Sequence, residues 1–165
     1  MLGIHLEQRF LAIAVYRKSY PILIKTMVIP LLTGILFGFL ASLHIYWALG
    51  GKWASRKTIP VRPDGAPLFQ PGKMATLLVA LLLGLSAAYF LTGWGRVHDF
   101  SDFWSIPAWI IVAAFFLRSI GEFKYVGFFK RIRGSDFARM DTFVYSPLCL
   151  LISGGVAHFM VFLLR

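Results

Sequence analysis

A single cysteine, Cys149, lies inside an apolar run, which excludes an intrachain disulfide and a cluster of thiolate metal ligands. Charge is scarce as well: Asp, Glu, Lys and Arg make up only 15% of the 165 residues, well short of a typical soluble domain. The chain has no Gly-rich nucleotide loop, no His-Glu-x-x-His pair and no nucleophile elbow, so no standard motif marks a reaction. Period-two alternation is also too weak for the strands of a membrane barrel. Acidic residues are outnumbered 7 to 17 by basic ones. The resulting net charge of +10 does not indicate nucleic-acid binding, because the cations sit at the ends of apolar runs.

Hydrocarbon is what remains. The chain is 58% hydrophobic, with a mean hydropathy of +0.73. Four runs, 27–49, 74–94, 105–121 and 144–164, approach or reach the length needed to cross about 30 Å of hydrocarbon as helices. Backbone groups in lipid must find partners within the segment, which favours helices for all four. The expected fold is all-α: an integral membrane four-helix bundle over 26–165, preceded by an extension over 1–25. Leu6, Phe10, Ile13 and Ala14 recur at helical spacing opposite Glu7 and Arg9, so that extension reads as an interfacial amphipathic helix ending at Pro21. Arg9, Arg17 and Lys18 interrupt its apolar residues, unlike a cleavable signal.

Orientation follows from Lys and Arg. The first connection holds Lys52, Arg56, Lys57, Arg62 and Lys73, and the third holds Lys124, Lys130, Arg131, Arg133 and Arg139. The second offers Arg96 against Asp99 and Asp102. The first and third connections are therefore expected in the cytoplasm, although the basic N-terminal segment argues the other way. Pro60, Pro63, Pro67 and Pro71 bar a helix from the first connection, whose length suits either a tether or a lid. Small residues mark packing stripes at Gly34, Gly38 and Ser42, at Ala80, Gly84 and Ala88, and at Cys149, Ser153 and Ala157. Trp47, Trp53, Trp94, Trp104 and Trp109 fall near run ends, as an aromatic belt does.

Polar chemistry concentrates at one end of the third run. Arg118 and Glu122 are one helical turn apart, and Tyr125 extends their face. A lone charge at mid-bilayer costs about 2.5–3.5 kcal/mol on insertion scales, so the two are expected either to neutralise each other or to form a site. His44, five residues before Leu49, falls roughly 7 Å inside the same surface. His158 lies roughly 21 Å from it, which argues against a haem held between the two histidines. His98, Asp99 and Asp102 read as the polar start of the third helix, so no metal site and no cofactor are expected.

The string His44-Ile-Tyr46-Trp47-Ala-Leu-Gly50-Gly51 is followed by Arg118-x-x-Gly121-Glu122-x-x-Tyr125-Val-Gly127-Phe-Phe-Lys130, and then by Asp141 and Tyr145-Ser146-Pro147. Together these resemble an uncharacterised family of small bacterial four-span membrane proteins, a domain of unknown function, over roughly residues 31–165. The resemblance implies a four-span fold in a bacterial inner membrane and implies no activity.

Two functions from different classes follow. The first is a binding or accessory module that holds a lipid-like ligand or a partner helix, with Tyr46, Arg118, Glu122, Lys124, Tyr125 and Tyr145 as ligand-binding candidates. Its expected partners are membrane lipids, with a second copy or another membrane subunit as alternatives. The second is an intramembrane enzyme acting on a lipid or isoprenoid, with His44 and Glu122 as acid–base candidates and Tyr145 as a hydrogen-bond donor. Binding is the preferred reading, because no nucleophile or metal signature accompanies the pair. Four spans without an inverted repeat would have to oligomerise to act as a transporter.

Overall fold

Four helices carry the chain back and forth, and each ends for a local reason. The computed structural model describes residues 28–92 and 102–163; the interfacial helix expected over 1–25, together with Trp94, Arg96, His98 and Asp99, lies outside them. The first helix, α1 (Val28–Ala48), is closed by Gly50 at φ +96°. The Gly51 amide donates to the Tyr46 carbonyl at 2.9 Å and the Gly50 amide to the Trp47 carbonyl at 3.0 Å. This is the paired bonding of a Schellman cap, for which glycine is favoured because the left-handed residue carries no Cβ.

Helix α2 (Lys73–Thr92) follows Pro71-Gly72, and helix α3 (Asp102–Ile120) ends at Gly121, φ +82°, whose amide bonds the Leu117 carbonyl at 2.9 Å. Helix α3 begins three residues before the expected run, which moves Pro107 from its first turn into its second. The fourth helix, α4, begins eight residues earlier than its apolar run. Ser135 caps it by accepting from the Ala138 amide at 3.1 Å. It continues from Asp136–Met140 through a π-helical turn, Asp141–Tyr145, into Ser146–Leu163. The wide turn sits immediately before Pro147, whose missing N–H and bulky ring conflict with the Phe143 carbonyl one turn back.

Helices α1, α2 and α4 are long and apolar enough to cross a membrane, over Val28–Ala48, Lys73–Thr92 and Asp136–Val161, while Ser105–Ile120 of α3 is a shorter apolar helix. Only 17% of the most apolar window of α2 is buried. Leu78, Leu81, Leu82 and Leu85 all point outward from it, the pattern of a helix bathed in hydrocarbon. The core draws on all four helices: Phe37 from α1, Ala87 and Phe90 from α2, Ala108 and Ile111 from α3, and Ile152, Val156, Phe159 and Met160 from α4. The Phe37 ring lies 5.9 Å from that of Phe90 and 5.3 Å from that of Phe115.

Close approach of α1 to α2 depends on Gly34, where an added Cβ would fall 2.7 Å from Leu91 Cγ. On α2 the buried line is Ala80, Ala87 and Phe90. The expected Ala80–Gly84–Ala88 stripe is not the contact, because Gly84 has no neighbour within 4 Å of an added Cβ and Ala88 is exposed. On α4, Cys149 and Ser153 are buried as expected for a packing face.

Candidate functional site

At the end where α3 stops and α4 starts, one carboxylate organises three donors. Asp141 is wholly buried, its Oδ1 accepting from Arg118 Nη2 at 2.9 Å and its Oδ2 from Lys130 Nζ at 3.0 Å and the Gly127 amide at 2.7 Å. Lys130, 1% exposed, also donates to the Gly127 carbonyl at 2.9 Å and to Thr142 Oγ1 at 2.6 Å. A buried charge needs this many partners, since each missing one leaves a desolvated group unanswered.

Arg118 therefore pairs with Asp141, not with Glu122. The expected i, i+4 pair required the helix to run through residue 122, and it ends at Ile120 because Gly121 turns the backbone left-handed. Beyond that break the exposed Glu122 carboxylate accepts from the Tyr125 amide, and Lys124 Nζ rests 5.2 Å from the Tyr125 ring centre.

The loop returning to the carboxylate is closed backbone on backbone. A Cβ on Gly121 would fall 1.8 Å from the Val126 carbonyl oxygen, and one on Gly127, φ +89°, would fall 2.2 Å from that of Ile120. The Phe128 amide bonds the Ser119 carbonyl at 2.9 Å, and the Arg131 and Ile132 amides reach back to the carbonyls of Phe123 and Lys124. The Phe123 and Phe129 rings meet at a 38° tilt with their centres 6.4 Å apart and remain exposed.

The other expected site residues lie apart from this node. His44 Nδ1 is 2.7 Å from the Leu40 carbonyl, which requires Nδ1–H, and its ring meets Trp47 edge-on at 5.1 Å. Tyr46 covers Gly51, and its hydroxyl accepts from the Trp53 amide at 3.4 Å while Trp47 Nε1 donates to the Trp53 carbonyl at 2.9 Å. These residues fold the start of the first connection onto α1. No hydrogen bond or ring contact joins His44 to Arg118 or Glu122 among the described residues.

The first connection is ordered around a 3₁₀ turn, Ser55–Lys57, and a bridge between Val61 and Pro67. Tyr145 donates its hydroxyl to the Lys57 carbonyl at 3.3 Å, tying this connection to α4. Between the two lies a cavity of about 290 Å³ lined by Lys57, Asp136, Arg139, Met140 and Phe143. Sequence reasoning missed Asp141 as the hub and this cavity altogether. The usable signal for Asp141 was charge balance, since it is the carboxylate nearest the start of the fourth run, facing a connection rich in cations.

Two buried atoms of the region, Arg118 Nη1 and Ser146 Oγ, have no hydrogen-bond partner among the described residues. Among the described residues no group of three or more His, Cys, Asp or Glu side chains is placed to hold a metal ion.

An all-helical apolar bundle, locked at one end by a buried Asp–Arg–Lys node, is the class of protein these features define. The chain belongs to the family described as protein of unknown function DUF3995, whose model matches residues 37–156 and so includes both the Gly50-Gly51 cap and the Asp141 node. Comparison with curated proteins and with solved structures finds no match.

Proposed function

We propose that this protein is a membrane-embedded binding module that holds a phospholipid at the cation-rich end of its bundle, with no chemistry performed on it. The observation that carries this reading is the cavity between the first connection and α4. It combines two cations, Lys57 and Arg139, with the apolar Met140 and Phe143 where helix meets connection. Interfacial cations beside apolar surface suit an anionic headgroup whose chains remain in hydrocarbon. In this reading the grip shifts from Arg118, Tyr46 and Lys124 to Lys57 and Arg139, because Arg118 is engaged by Asp141.

Binding is favoured over acid–base catalysis because His44 and Glu122 sit in separate hydrogen-bonded clusters. The cation-rich first and third connections face the cytoplasm in this proposal, with the bundle in a bacterial inner membrane. Mild-detergent purification followed by mass spectrometry of extracted lipid tests the function. Wild type is expected to retain phospholipid that Lys57→Gln/Arg139→Gln loses; equal retention by both would refute it.

A further inference from the structure

We propose that the cavity between the first connection and α4 selects a phospholipid headgroup carrying both a phosphate and a primary amine, an inference that rests on the lipid-binding function above. The cavity's charge set is mixed: Lys57 and Arg139 supply two cations and Asp136 a carboxylate, all exposed. None of these three side-chain charges is engaged in a hydrogen bond or salt bridge with a described residue, even though Asp136 and Arg139 are three apart on one helix. Among the described residues both signs thus stand unpaired at one opening.

Each sign restricts the ligand. A guanidinium and an ammonium together match phosphate oxygens, the guanidinium by two parallel bonds and the ammonium as a point charge. The carboxylate penalises a headgroup that is only anionic and rewards one with an N–H cation next to its phosphate. A glycerol headgroup offers no cation, and a choline offers no N–H donor for the carboxylate. Quaternary ammonium groups are usually held by a cage of aromatics, and among the described residues Phe143 is the one aromatic lining residue. An ethanolamine headgroup meets both demands.

Size and surroundings place the rest of the molecule. A volume of about 290 Å³ is at the small end for ligand sites and suits a headgroup without its chains. Phe143, at the rim and 78% exposed, begins an outward apolar stripe that continues through Leu150 and Leu151, along which acyl chains can lie.

The test uses the full chain in detergent, titrated with phosphatidylethanolamine, phosphatidylglycerol and phosphatidylcholine of identical chains, with adducts counted by native mass spectrometry. Wild type should retain the ethanolamine lipid about tenfold over the other two, and Asp136→Asn should abolish that preference while leaving phosphatidylglycerol retention equal or higher. Asp136→Glu, which keeps the carboxylate, should keep the preference. Equal retention of all three lipids by wild type, or an ethanolamine preference surviving in Asp136→Asn, overturns the inference and leaves lipid binding standing. Retention of none of the three overturns lipid binding itself.

Discussion

Deleting the Asp141 carboxylate leaves Lys130, whose side chain is wholly buried, without its anion and Arg118 without its partner. Breaking a buried pair from one side costs about 3–5 kcal/mol, so Asp141→Ala should lower the SDS-unfolding free energy by that amount. Arg118→Ala should cost less, because the Arg118 side chain is 37% exposed and Lys130 and the Gly127 amide still satisfy the carboxylate. A larger loss from Arg118→Ala than from Asp141→Ala would contradict the hub assignment. Ser146 presents the opposite case: its buried hydroxyl has no partner among the described residues, so Ser146→Ala should raise stability by about 1 kcal/mol. A loss of similar size would show that the hydroxyl is bonded after all. The sequence made Arg118 conspicuous as a charge in apolar surroundings, yet its partner lies 23 residues away across a loop. Helical spacing finds neighbours within one helix and is blind to pairs between two.

At the level of elements, the third connection is a structural clasp. Gly121 and Gly127 press their backbones together so that the Gly127 amide can reach Asp141. Gly127→Ala should therefore combine about 1–3 kcal/mol of backbone strain with loss of that hydrogen bond. Gly134→Ala should change stability by less than about 0.5 kcal/mol, since an added Cβ there meets nothing within 4 Å. Comparable unfolding midpoints for the two variants would refute the clasp. The helices themselves were legible because apolar runs of this length have few alternatives. Their ends were less so: α4 begins in polar sequence at Asp136, where the Ser135 cap and the buried Asp141 node hold a turn that hydropathy alone assigns to loop. The Ala80–Gly84–Ala88 stripe was misplaced for a related reason. Small residues permit close approach on any face, and only the positions of the neighbouring helices decide which face is used.

As a whole, the molecule separates two tasks by radius and by depth. Apolar residues from four helices fill the centre, and the leucines of α2 face outward on a helix long and apolar enough to cross a membrane. At one end the charges divide into a closed set, Asp141 with Arg118 and Lys130, and an open set, Lys57, Asp136 and Arg139 around a cavity. The closed set takes up Arg118, which the sequence paired with Glu122 instead, and the open set is the one the proposed function assigns to a ligand. That division was invisible in the sequence, because Lys57 comes from a loop that the Tyr145 hydroxyl joins to α4 across 88 residues of chain. The most direct test is photocrosslinking with a benzophenone side chain at Phe143, on the cavity rim, or at Leu78, on the lipid face of α2, performed after detergent extraction. A phospholipid adduct is expected at position 143, absent at 78 and abolished by Lys57→Gln/Arg139→Gln. Equal adducts at both positions, or an adduct at 143 that survives the double substitution, would contradict a lipid held by this cavity.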